Sequence, residues 1–120
     1  MDHVPSKQSV VFVKDIGPEG ASIKDEFTRL DKLLEHRTRL AICALLCRYD
    51  QINFRRFKEL LSETDGNLGA QLRKLEDAGY IEVEKVFDDR RPVSWYRICP
   101  AGKTALDNHL NALKGMMGGT

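Results

Sequence analysis

A chain of 120 residues, 42% hydrophobic and 31% charged, has ordinary globular composition, and its length suits one domain able to bury roughly two-thirds of its surface without staples. No apolar run approaches the ~20 residues that cross a membrane, and Met1 to Lys14 lacks both the basic n-region and the long h-region of a secretory leader, so the expected setting is the cytoplasm with no membrane partner. The net charge of +1 draws nothing toward nucleic acid at long range; any basic surface must be local.

Residues 1–22 differ from the rest. Ile16-Gly17-Pro18-Glu19-Gly20 is a turn signal, and Val10 to Val13 has the character of a strand without an obvious hairpin partner. This segment is expected to be a flexible arm or a strap across a partner subunit. From Ile23 the pattern turns helical, with Phe27, Leu30, Leu33 and Leu34 recurring at three and four. After a break near Glu35-His36-Arg37, a second helix is predicted from about Thr38 to Tyr49, apolar at every position from Leu40 to Cys47. One of its faces carries Ile42, Leu45, Leu46 and Tyr49; the other carries Leu40, Cys43, Ala44 and Cys47. Such a helix must be covered on both sides, and the second cover is a terminal helix or a second subunit.

Asn53 is placed to cap a third helix, Phe54 to Leu61, with Phe54, Phe57, Leu60 and Leu61 inward. Thr64 can cap a fourth, Asp65 to Ala78, on the stripe Leu68, Leu72, Leu75, with Gly79 as its stop. The period then changes: Tyr80 to Phe87 and Ser94 to Ile98 read as strands around a turn at Asp88-Asp89-Arg90-Arg91-Pro92. Pro100 opens a last helix to about Met117, with Leu106, Leu110, Leu113 and Met117 in one stripe. The domain is thus expected over residues 23–117, with 118–120 a flexible tail.

Two helices joined by a tight turn, followed by a hairpin with a basic tip, make a winged helix-turn-helix, mainly α with a small β-hairpin (α+β). In that arrangement the fourth helix enters the DNA major groove and the hairpin reaches phosphates or the adjoining minor groove. Opposite its leucines the helix offers Gly66, Asn67, Gly69, Ala70, Arg73 and Lys74. Glycine costs about 1 kcal/mol relative to alanine inside a helix, so two near its start suggest close approach by something outside. Asn67 suits adenine, Arg73 guanine or a phosphate, and Gln71, toward the flank, either. The plainer reading is a solvated surface helix. Arg90 and Arg91 fit a phosphate contact or a solvated turn balancing Asp88 and Asp89. Trp95 packs over the arginine stems, binds a phosphate through its indole N–H, or covers core.

The segments Arg39-Leu40-Ala41-Ile42, Thr64 to Leu68, Leu72 to Ile81, Arg90-Arg91-Pro92, Trp95-Tyr96-Arg97 and Pro100 to Lys103 resemble the single-domain, MarR-like branch of winged-helix transcription regulators over about residues 27 to 113. The resemblance implies a homodimer built from the first and last helices, with one recognition helix per half-site of a palindromic operator. The residues expected at that interface are Leu30, Leu34, Leu40, Cys43, Cys47, Leu106, Leu110, Leu113 and Met117. Regulators of this type often answer to a small-molecule effector in the dimer cleft, but no residue here names one. Similar proteins often have Thr in place of Cys99 and Glu in place of Ala101, which leaves the cap of the last helix open.

No phosphate-binding loop, nucleophile elbow or dinucleotide fingerprint is present, and His3, His36 and His109 form no metal-ligand spacing with a cysteine, so neither catalysis nor a cofactor is expected. Cys43 and Cys47, one helical turn apart, fit a soft metal or an oxidant sensor, or simply packing in apolar surroundings. Cys43, Cys47 and Cys99 are an odd set that implies no disulfide. From residue 67 to 97 six basic side chains face six acidic ones. That balance keeps a second reading open, a winged helix used as a protein-interaction module.

Overall fold

The structure is a computed structural model that describes residues 22–118; the arm with its Val10 to Val13 run, and the end of the tail, lie outside the described residues. Helix α1 covers residues 22–29. It ends because Asp31 caps a short 3-10 turn, Lys32–Glu35, its carboxylate accepting from the Leu33 N–H at 2.8 Å. The single helix expected from Ile23 through Leu34 is therefore two pieces, cut by a residue that favours caps over helix interiors. His36 starts α2 (Arg37–Arg48), its Nδ1 accepting from the Thr38 N–H.

Ile52–Asn53 forms a two-residue strand, β1, that the sequence did not suggest. Asn53 then caps α3 (Phe54–Leu61) through the Arg56 N–H at 2.7 Å, and Thr64 caps α4 (Asp65–Asp77) through the Asn67 N–H at 3.1 Å. At the far end of α4, Gly79 sits at φ +78°, while the Gly79 and Tyr80 N–H groups donate to the carbonyls of Glu76 and Leu75. This doubly bonded left-handed stop satisfies the helix's last carbonyls.

Strands β2 (Ile81–Asp88) and β3 (Arg91–Ile98) pair antiparallel along their whole length, and β1 pairs with β3, giving the order β1-β3-β2. The turn expected over five residues is only two, Asp89 and Arg90, both at positive φ (51° and 68°). Paired positive φ values match the right-handed twist of the flanking strands. Pro92 is tolerated within β3 because β1 has already ended at the Trp95 level, leaving that edge of the strand without a ladder partner. Helix α5 (Pro100–Met116) begins with proline in its first turn, and Cys99 makes no side-chain cap.

The core joins α2, α3, α4 and the sheet: Ile42, Cys43, Leu46, Phe57, Leu68, Leu72, Leu75 and Ile81 are all buried. Tyr80 ties this core to the terminal elements. Its hydroxyl donates to Asp31, its carbonyl accepts from the Cys99 N–H at 2.9 Å, and a side chain at Gly102 would collide with that carbonyl. Three expectations for a subunit interface are corrected here, because Leu34, Cys43 and Leu106 are buried within this chain's own core. The stripe of α5 is likewise divided. Gly102, Leu106, His109 and Ala112 face inward, whereas Leu110, Leu113 and Met117 are exposed, as is Phe27 of α1.

Candidate nucleic-acid interface

Helix α4 is held by its leucines and presents the opposite side outward. Ala70, Arg73 and Lys74 are exposed, and Gly69 is half-buried. Neither Gly66 nor Gly69 has a positive φ, and a Cβ built on either meets nothing within 4 Å. Nothing among the described residues requires glycine there. The helix therefore presents a shallow, smooth start followed by two cations.

Beside this face runs a polar network that was not legible in the sequence. The Arg39 Nε donates to the Leu33 carbonyl and its Nη1 to the Gln71 Oε1, each at 2.6 Å. The Gln71 Nε2 donates to the Asn67 Oδ1 at 3.0 Å, and the Asn67 Nδ2 to the Glu63 Oε1 at 2.7 Å. The other Glu63 oxygen accepts from the Thr38 hydroxyl at 2.9 Å. The bonds from Asn67, then Thr38, hold the Glu63 carboxyl below its ordinary range, because they stabilise the anion.

Two of the expected reading residues are thereby changed in character. Gln71 is only 7% exposed and belongs to the interior, so the expectation that it meets DNA from the helix flank is corrected. Asn67 is half-buried with both ends of its amide engaged, which fixes its orientation and leaves one amide hydrogen and one oxygen lone pair for an outside partner. Arg73, Lys74, Gly69 and Ala70 stand as expected on the outer side.

On the wing, Arg90 and Arg91 are exposed at the tip and Trp95 is half-buried lower down. Trp95 lines a groove of about 640 Å³ between β3 and the start of α3, together with Asn53, Phe54, Arg55, Lys85 and Arg91. It thus shares that groove with two arginines, Arg55 and Arg91, and lies outside the buried core. Cys43 and Cys47 do not form a matched pair: Cys47 is exposed, while Cys43 is buried and its thiol is pushed up to about 12, chiefly by desolvation. Among the described residues no group of three or more His, Cys, Asp or Glu is arranged to hold a metal ion. No helix among them is long and apolar enough to cross a membrane.

A helix-turn-helix whose second helix faces outward, followed by a two-stranded wing, defines the winged helix class. The winged helix DNA-binding domain family model matches residues 38–117, and the chain belongs to that family. It is similar to an uncharacterized protein of Methanocaldococcus jannaschii, 34% identical over 79 residues, which cover 66% of this chain and 86% of that one. Among solved structures it is similar to a transcriptional regulator homologue of Pyrococcus horikoshii, with TM-score 0.71 and 28% identity over 78% of this chain and 95% of that one. A MarR variant from E. coli complexed with operator DNA shares the fold, with TM-score 0.56, 19% identity, and coverage of 88% and 85%. The chain thus carries a winged helix DNA-binding domain over residues 38–117, and it shares its fold with MarR of E. coli.

Proposed function

We propose that the protein acts as a homodimer on a roughly palindromic double-stranded operator, with α4 of each protomer in a major groove and the wing on the neighbouring backbone. The observation that carries this reading is the outer side of α4. Gly66 and Gly69 leave it clear although nothing among the described residues needs them small, and Arg73 and Lys74 follow on the same exposed side. Alanine at both positions would favour the helix, so the demand for glycine comes from outside. Gly69 and Ala70 admit the groove wall, Arg73 reads a base or phosphate, and Lys74, Arg90 and Arg91 meet phosphates. Asn67 reads adenine with the amide hydrogen and oxygen lone pair that its present partners leave free, and Trp95 supports the wing.

The dimer reading rests on apolar side chains left in solvent. Phe27 on α1 and Leu110, Leu113 and Met117 on α5 are exposed. A side chain at Gly115 of α5 would strike Glu26 of α1, so the two helices lie side by side. Neighbouring exposed apolar residues mark an association surface, and two half-sites about 34 Å apart would suit its symmetry.

Selection of duplexes from random DNA by the full chain, followed by binding at several salt concentrations, tests the proposal. Arg73→Ala should relax preference at one base position by about 1–3 kcal/mol, whereas Arg90→Ala or Arg91→Ala should weaken all sequences and lower the salt slope by about 1. Sequence-independent binding, or none at low salt, would sink it. Sedimentation as a 13.7 kDa species at micromolar concentration would remove the dimer.

A further inference from the structure

Phe87 is 79% exposed at the end of β2, on a strand whose other apolar residues, Ile81, Val83 and Val86, are at least partly covered. Strand alternation fixes the side of the ribbon to which it belongs. Ile81 and Val83 face the helices, as does Tyr96 across from Val83, set edge-on to Phe57 of α3 with ring centres 6.1 Å apart. Lys85 and Phe87 continue that face outward, and Phe87 is paired across the ladder with Pro92. At ~3.3 Å per residue, Phe87 lies about 13 Å beyond Val83, clear of the core that Val83 touches. The helix-facing side of the wing therefore ends in two apolar rings, one step from the turn that displays Arg90.

Charge does not account for this tip. Lys85, Arg90 and Arg91 are opposed by Asp88 and Asp89, leaving one net positive charge from residue 85 to 92, and Asp88 stands directly across from Arg91. Attraction to phosphates alone is then weak. A minor groove suits what the tip does present: deoxyribose walls for an apolar ring, flanked by the backbone that its arginines contact. The contact also continues the surface assigned to α4 and the wing.

We propose that Phe87, backed by Pro92, packs against the deoxyribose wall of the minor groove beside the backbone that Arg90 and Arg91 contact, giving the wing a contact that does not depend on salt. This rests on the DNA-binding reading. The test compares the full chain with its Phe87→Ala and Phe87→Leu forms on a duplex selected from random DNA. Phe87→Ala should lower affinity about tenfold with an unchanged slope of log affinity against log salt, since no counterion release is lost. Phe87→Leu should retain most of the affinity. Hydroxyl-radical protection of the flanking sugars should fade in the alanine variant, while protection of guanine N7 in the major groove persists. Coincident thermal melts of the three forms confirm that the tip is not needed for folding. Wild-type affinity and footprint in Phe87→Ala, or a loss that comes with a shallower salt slope, would overturn the inference and leave the DNA reading intact. No binding by the unmodified chain at any salt would overturn both.

Discussion

Replacing Gln71 by leucine, a side chain of similar length, tests whether this residue is framework or reader. The substitution removes the charge-assisted bond from Arg39 at 2.6 Å and the amide bond to Asn67 at 3.0 Å. Such bonds contribute roughly 1.5–3 and 0.5–1.5 kcal/mol respectively. The leucine would recover about 1–2 kcal/mol by burial, less than usual because it faces a guanidinium that keeps only the Leu33 carbonyl from this network. The expected net loss is about 2 kcal/mol. At a urea m-value of about 1–2 kcal/mol/M, the midpoint should fall by roughly 1–2 M. Far-UV circular dichroism at one fixed protein concentration is the assay, since association shifts apparent stability. Gln71→Glu, which keeps an acceptor for Arg39, should lose less. An unchanged midpoint together with a changed base preference would show that Gln71 leaves its partners to read DNA, and the framework assignment would fail.

Gly66→Ala and Gly69→Ala should each stabilise the free protein by about 0.5–1 kcal/mol, because helix propensity rises with nothing to obstruct the methyl, and both should weaken DNA binding. Gly102→Ala should instead lower the melting midpoint by about 1–3 kcal/mol of stability, because its Cβ would meet the Tyr80 carbonyl. The Glu63 carboxyl is held below its ordinary range by the bonds from Asn67 and Thr38. Its contribution is present above the ordinary carboxylate range and lost as pH falls through the lowered folded-state range, so Glu63→Gln should flatten the acid limb of urea stability measured from neutrality downward. In a thiol-reagent assay at pH 8 the exposed Cys47 should react at once. Cys43, buried and raised to about 12, should react only on unfolding.

Where local chemistry decides the structure, the sequence is a sufficient guide. The starts of α3 and α4 follow from Asn53 and Thr64, and the stop of α4 from Gly79, because a cap is settled within a few residues. Where partners are distant in the chain, it is not. The buried face of α5 includes Gly102, His109 and Ala112, none strongly apolar, while its leucines at 110 and 113 point outward; spacing alone does not say whether an apolar residue covers its own core or another surface. Strand β1 is two residues long and exists because Tyr96 and Trp95 lie opposite it, so no period could reveal it. Gln71 reads as a surface amide until Arg39, far earlier in the chain, is seen to reach it. The outward placement of Arg73, Lys74, Arg90 and Arg91 was legible, since each follows from helix or hairpin alternation.

The chain of bonds from Arg39 to Glu63 has a direction. Every proton in it is given the same way, from the guanidinium to Gln71, from Gln71 to Asn67, and from Asn67 to the carboxylate. An amide can in principle be turned end for end, exchanging its oxygen and nitrogen. Here neither can turn alone, because the first must show oxygen to a permanent cation and the last must show nitrogen to an anion. The two amides, one turn apart on α4, act as aligned dipoles between opposite charges at the two ends of the row, and the polarity of one is legislated by the other. Removing one terminal charge would leave the other to hold both amides in the same sense; only removing both would make the two orientations nearly equivalent, and the surface beside the glycines would then present a donor or an acceptor interchangeably where it now presents one.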